Sequence, residues 1–319
     1  MKKNHWRTDC KNHSLPIELK QHPQYEASSE DLFRLHVPLF FKNKINLQQQ
    51  NDPLLLQVLP HKKELIPHKN YQSDPVGDLN ARQNKGIIHK YHKRVLLIAT
   101  GACAINCRYC FRREFPYQQN NAAANNWSNA IKYLAADKQI EEVILSGGDP
   151  LMLTTEKLAS LTQQLEKLSH IKTLRIHTRI PIVAPSRINP HFIQWLDNIK
   201  LNKVMVVHCN HANELDNKHQ QLFTAIKNSN TLLLNQSVLL KNINDNPQTL
   251  IQLSYRLLDF SILPYYLHQL DKVTGTKHFR VKNKKAKKIH KTLRHKLPGY
   301  LVPKLVTEIA GKKAKTPLF

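Results

Sequence analysis

A chain of 319 residues with only five cysteines, eight glycines and 23 acidic residues excludes several classes at once. Apolar runs are short. The longest aliphatic stretches, such as Val95 to Ala99, fall far below the ~20 residues that span a bilayer. The basic N-terminus "MKKNHWRTDCKNHS" has no apolar run of the kind a secretory signal needs. The expectation is a soluble, cytoplasmic protein with no membrane contact. In that reducing compartment, clustered cysteines serve metals or catalysis more often than disulfides. The shortage of acids against 48 lysines and arginines leaves a net charge of +25, which raises nucleic acid or another anionic surface as a partner. The excess is spread along the chain, however. Its densest run, "VKNKKAKKIHKTLRHK", repeats Ile289, Leu293 and Leu297 at helical spacing. A basic helix resting on the core by one apolar edge follows, and the charge alone names no partner.

What is present is a hydrophobic fraction of 41%, enough for a proper core, and a pattern that changes along the chain. Residues 1–85 are rich in Gln, Asn, His and Pro, and Pro23, Pro38, Pro53, Pro60, Pro67 and Pro75 interrupt any long helix. They predict an irregular, partly helical N-terminal region. Residues 86–275 carry short β-branched runs, "RVLLIAT", "EEVILSG", "TLRIHT", "KVMVVHC", "TLLLNQSVLL" and "SILPYYLH". Between most of them lie amphipathic stretches at 125–136, 155–168, 189–199, 214–227 and 248–258. Such alternation implies βαβ units around a parallel sheet. Six strands are too few for an eight-stranded barrel, so an incomplete barrel or open sheet is predicted, with its chemistry at the strands' C-terminal ends. Residues 276–319 form the basic helix and a short C-terminal segment.

Three of the five cysteines fall in "TGACAINCRYCFRREF", as Cys103-x3-Cys107-x2-Cys110, immediately after a strand. Three thiolates on one tight loop can hold three corners of a cubane iron–sulfur cluster. A structural zinc site wants a fourth ligand, and neither Cys10 nor Cys209 supplies a second CxxC. The next strand ends in "VILSGGDPL". There Ser146, Gly147, Gly148 and Asp149 read either as backbone cleared for a ligand or as an ordinary strand-to-helix turn.

The cysteine spacing after a first barrel strand resembles the radical S-adenosylmethionine (SAM) superfamily. The blocks "CRYCFRREF", "ILSGGDPL", "LRIHTRIPIVAPSRI", "HCNHANEL", "LLNQSVLLKNIND", "LPYYLHQLDKVTGTKHFRV" and "GYLVPKLVTEIAGKKAKTPL" run in order from about residue 94 to the C-terminus. They resemble the lysine 2,3-aminomutase family, closest to its short bacterial branch that makes β-lysine for modifying elongation factor P.

The resemblance implies an incomplete (β/α)6 TIM-type barrel and a 4Fe–4S cluster on Cys103, Cys107 and Cys110. Its open iron would bind SAM, whose methionyl end meets the Ser146–Asp149 segment. It also implies pyridoxal 5′-phosphate as a Schiff base on Lys315, in "AGKKAKTP", where the family's glycine-rich run keeps only Gly311 and gains Lys312 and Lys313; Lys304 is a further neighbour. Arg112 corresponds to the arginine for the substrate carboxylate. Asp271 and Glu308 correspond to the two acids for the distal ammonium of lysine. The implied reaction is conversion of (S)-α-lysine to (R)-β-lysine, with a pathway link to elongation factor P and its lysyl ligase. Because the sequence stops four residues after Lys315, a smaller assembly than that of the longer relatives is expected. Arg108 and Arg113 are expected at the surface, Arg179 is open to a phosphate or carboxylate, and His177, His208 and His211 are expected in local hydrogen bonds. The competing reading is an RNA-modifying radical SAM enzyme. A third is a non-catalytic RNA-binding protein with a structural metal.

Overall fold

A computed structural model describes residues 6–7 and 17–318; Cys10 lies outside them. One ten-stranded sheet runs in strict chain order. Its centre is seven parallel neighbours: β3 (Arg94–Thr100), β4 (Glu142–Gly147), β5 (Thr173–Thr178), β6 (Asn202–His208), β7 (Thr231–Leu239), β8 (Leu263–Gln269) and β9 (Lys304–Thr307). Six of these are the strands that the sequence pattern predicts. The hairpin of β1 (Arg82–Asn84) and β2 (Ile87–Tyr91) adds antiparallel strands to one edge and runs across residue 85. β10 (Thr316–Pro317) pairs antiparallel with β9 at the other edge, Thr316 opposite Thr307. The two edges do not pair with each other, so the barrel is incomplete.

Parallel strands covered on both faces read as continuous apolar runs, as in "VLLIA" of β3 and "VMVV" of β6. Alternation remains where the inner face meets the cavity. In β5, Leu174 and Ile176 join the core, while Arg175 and His177 line the cavity. The covering helices are α1 (Ser128–Ala136), α2 (Thr155–Leu165), α3 (Pro190–Asn198), α4 (Gln220–Asn228) and α5 (Pro247–Asp259). Their starts follow side-chain capping. Thr154 Oγ1 accepts from Lys157 N (3.2 Å) before α2, Asn189 Oδ1 from Phe192 N (2.9 Å) before α3, and Asn246 Oδ1 from Gln248 N (2.8 Å) before α5.

Two helices begin later than their apolar pattern predicts. Asn125, Asn126 and Trp127 take φ of +48°, +51° and +66°, so α1 cannot start before Ser128. Two tight turns, Ala212–Glu214 capped by His211 and Asn217–His219 capped by Asp216, come before α4 begins.

The basic helix α6 (Asn283–Lys296) buries Ala286, Ile289 and Leu293, with Leu297 buried just beyond, and leaves its lysines in water. In the N-terminal region, Leu35, Phe41, Leu54, Leu55 and Val58 share the barrel's core cluster. No helix among the described residues is long and apolar enough to cross a membrane.

Candidate active site

A cavity of about 340 Å³ opens at the C-terminal ends of the parallel strands. Cys103, Cys107 and Cys110 line it from the loop after β3. The N-terminal region holds this loop from outside: Asn106 N donates to His36 O and Arg108 N to Gln57 O, each at 2.9 Å. Arg108 and Arg113 are therefore not surface residues. Both side chains are buried on Glu64, whose carboxylate accepts from Arg108 Nε (2.9 Å) and Nη2 (2.7 Å) and from Arg113 Nη1 (2.9 Å). Their partner lies 44 to 49 positions away, which local sequence cannot reveal.

Among the described residues, no three His, Cys, Asp or Glu side chains lie close enough to hold a single metal ion. Burial raises the Cys110 thiol to about 11 and that of Cys103 well above its ordinary value, with neighbouring thiolates adding to both. A cluster's positive charge is what would draw off those protons.

The Gly-Gly-Asp turn is locked against the cysteine loop. Gly148 N donates to Thr100 O (2.7 Å) and Asp149 N to Ala102 O (2.8 Å). A Cβ on Gly148 would come 2.4 Å from Ala102 O, and Gly147 sits at φ +119°. The glycines thus clear space for backbone as well as bordering the cavity. Asp149 is buried, and its carboxylate accepts from Leu151 N (3.0 Å), Thr178 Oγ1 (2.7 Å), Arg179 N (2.7 Å) and Ile180 N (3.2 Å). Its side chain ties β4 to β5 and has little left for a ligand.

A chain of alternating charges forms one wall. Lys315 Nζ donates to Glu308 Oε2 (2.7 Å), and Lys90 Nζ reaches Glu308 Oε1 (3.0 Å) and Asp78 Oδ1 (2.6 Å). Asp78 Oδ2 accepts from Arg112 Nε (2.7 Å), whose Nη1 donates to Ser146 Oγ (3.0 Å). Burial pushes the Glu308 carboxyl up, but Lys315 and Lys90 outweigh it and hold the group well below its usual range. Asp271, also at the cavity, is raised to about 7 by burial first and by the charge of Glu308 second. Lys315 lines the cavity, whereas Lys304, Lys312 and Lys313 are exposed.

Several lining residues were not anticipated from the sequence: Lys90, Tyr91, Arg94, Arg175, Gln236, Tyr265, Tyr266 and His268. The available signal was the two-residue alternation of Arg175 with His177 and of Tyr266 with His268, which puts both members of each pair on one face. Lys315 Nζ stands 5.7 Å from the Tyr266 ring centre, and the Tyr265 and Tyr266 hydroxyls are 3.2 Å apart. Burial keeps the His177 and His268 imidazoles neutral, and lowers that of His208 to about 3. His208 stacks on Tyr109, and His211 caps a turn through Asn213 N (3.2 Å). His177 departs from expectation, since its Nε2 is buried without a hydrogen-bond partner. An orphaned buried nitrogen at a cavity lined with Lys90, Arg94 and Arg175 fits an anionic bound group. Arg179 also lines the cavity; Glu214, Gln57, Tyr109 and Cys107 Sγ take up its Nη1 and Nη2, and its Nε is buried without a partner.

An incomplete barrel with three thiols on the loop after its first parallel strand defines a radical SAM enzyme. The sequence model of the Radical SAM superfamily matches residues 97–214. The L-lysine 2,3-aminomutase of Escherichia coli (strain K12) is 45% identical over 95% of this chain and 89% of its own length. That of Haemophilus influenzae is 47% identical over 92% and 87%, and that of Buchnera aphidicola 43% over 99% and 96%. The chain belongs to the lysine 2,3-aminomutase family. These relatives favour an aminomutase over the RNA-modifying alternative.

Proposed function

We propose that this enzyme is a radical SAM, pyridoxal phosphate-dependent L-lysine 2,3-aminomutase that converts (S)-α-lysine to (R)-β-lysine. The observation that carries the reading is one cavity lined by the three thiols, Lys315, Arg112, Asp271 and Glu308 together. When bound, the 4Fe–4S cluster with SAM supplies hydrogen-atom abstraction from an unactivated carbon, and pyridoxal phosphate supplies the means for nitrogen to migrate.

The protein's part is to hold and aim these groups. Cys103, Cys107 and Cys110 would hold the cluster, and Ser146, Gly147, Gly148 and the backbone of Asp149 would border the SAM bound to it. Lys315 anchors pyridoxal phosphate covalently, with Lys90, Arg94 and Arg175 as the cations for its phosphate. Arg112 meets the substrate carboxylate: Nε and Nη1 are engaged by Asp78 and Ser146, which leaves Nη2 for the ligand. Asp271 and Glu308 receive the distal ammonium, a buried cation that needs charged acceptors. The apolar cavity wall keeps water from the radical.

The test is anaerobic reconstitution followed by borohydride reduction with pyridoxal phosphate. A phosphopyridoxyl group is expected on Lys315, with β-lysine formed only when SAM and reductant are present. Lys315→Ala and Cys107→Ala should both abolish product. Trapping elsewhere in competent enzyme would remove Lys315 from its role, and absence of β-lysine would sink the activity. The product would then be consumed in the cytoplasm by the lysyl ligase that modifies elongation factor P. A coupled reaction should add a β-lysyl mass to that factor only when this enzyme is included.

A further inference from the structure

Arg179 stands directly behind the cysteine loop, and its backbone N–H, Nη1 and Nη2 are all engaged, while Nε is buried without a partner. Its backbone N–H goes to Asp149 Oδ2 (2.7 Å). Nη2 donates to Glu214 Oε2 and Gln57 Oε1, both at 2.7 Å. Nη1 donates to the Tyr109 hydroxyl (2.7 Å) and contacts Cys107 Sγ at 2.6 Å. Glu214 is held in turn, its Oε1 accepting from Asn210 N (2.8 Å), His211 N (3.1 Å) and Gln57 Nε2 (3.2 Å). The guanidinium also lies over the rings of Phe41 and Tyr109, 5.4 and 5.8 Å from their centres. With 6% exposure, it is a buried cation touching one of the three thiols. Cys110 takes only a backbone N–H, from Arg112, and neither Cys103 nor Cys110 has a charged side-chain donor on sulfur among the described residues.

A hydrogen bond to a ligating sulfur withdraws electron density from the iron. A buried positive charge also stabilises the more negative, reduced cluster. Both effects act in the same direction, and the dry surroundings enlarge the second. We propose that Arg179 is a positioning residue that raises the reduction potential of the iron–sulfur cluster through the Cys107 sulfur. The inference rests on the radical SAM reading above. The step concerned is transfer of one electron from an external reductant to the oxidised cluster, with no bond made or broken.

Wild type, Arg179→Gln, Arg179→Lys and the surface control Arg256→Gln are reconstituted anaerobically and titrated with dithionite, with the reduced cluster read by electron paramagnetic resonance. In Arg179→Gln the reduction equilibrium should fall at least tenfold, a drop of about 59 mV for a one-electron couple. Arg179→Lys, which keeps the charge but not the fork, should fall by less, and Arg256→Gln should match wild type. An unchanged or higher potential in Arg179→Gln, or an equal fall in Arg256→Gln, overturns the proposal. If Arg179→Gln takes up no cluster, Arg179→Lys decides, and a potential equal to wild type overturns it. A wild-type protein that takes up no iron overturns the radical SAM reading itself, a result distinct from a wild-type cluster whose potential ignores Arg179.

Discussion

Asp78→Asn isolates the aiming of Arg112 from the rest of the cavity. Asp78 is 2% exposed and divides its carboxylate between Lys90 Nζ at 2.6 Å and Arg112 Nε at 2.7 Å. Asparagine keeps the shape but loses the charge, and it turns an amide donor toward one of the two cations. Removing one partner of a buried ion pair costs about 3–5 kcal/mol. Here Glu308 still serves Lys90 and Ser146 still serves Arg112, so the stability loss belongs at the lower end, about 3 kcal/mol. The functional loss is that of a hydrogen bond to a charged group, about 1.5–3 kcal/mol, which lowers kcat/KM for lysine by about 10- to 150-fold. The discriminating assay adds 1,5-diaminopentane as a competitive inhibitor, which carries the distal ammonium but no carboxylate. Its inhibition constant should stay near the wild-type value while lysine suffers. A parallel loss for both ligands, or none for lysine, would refute the assignment of Asp78 and Arg112 to the carboxylate end. The stability difference also has a defined pH sign. Burial pushes the Asp78 carboxyl up, but Arg112 and Lys90 together hold it below its ordinary 3.8. Its stabilisation is therefore fully present above that value and is lost as pH falls through the depressed one, so wild type and variant should converge in acid.

Asp271 should behave with the opposite sign. A carboxyl raised to about 7 binds a proton more readily folded than unfolded, so its destabilising effect grows as pH rises from about 4 to 7 and is complete above that. Asp271→Asn should accordingly be more stable than wild type at pH 8, with the advantage disappearing by pH 4 in urea titrations. Lysine affinity of wild type should weaken as pH drops below about 7, where the carboxylate that meets the ammonium is lost, and the variant should lack that limb of the profile. Gly148→Ala places a methyl 2.4 Å from Ala102 O, so the cysteine loop must shift; reconstituted iron per chain should fall while circular dichroism stays native.

The parallel core was legible because strands such as β3 and β6 read as unbroken apolar runs, while β5 and β7 alternate, and helical patterns separate most of them. The edge strands were not. β1 is exposed throughout, and β9 and β10 are only four and two residues long, so none carries an apolar pattern. The cysteine loop and the Gly-Gly-Asp turn stood out because spacing alone marks them. The arginines show where such reading stops. The side chains of Arg108, Arg112, Arg113 and Arg179 are all buried in ion pairs, but their acids Glu64, Asp78 and Glu214 come from other parts of the chain. Composition reports an excess of positive charge and not which cations the fold neutralises. His177 is similar, in that a strand position predicts which way it faces but not that its nitrogen is left unpaired.

The pairing of β10 with β9 bears on the loss of glycines before Lys315. Thr316 opposite Thr307 makes Lys315 the cross-strand neighbour of Glu308, as their 2.7 Å contact shows. Residues 309–314 close this hairpin, and their work is counting. Strand side chains alternate, so one residue more or fewer that shifted the register would turn the amine away from the cavity. Several changes of residue type would leave it in place. Gly311, at φ +79°, supplies the left-handed turn, and Lys312 and Lys313 beside it are exposed. Evolution in this loop should therefore run through substitutions and stall at insertions and deletions.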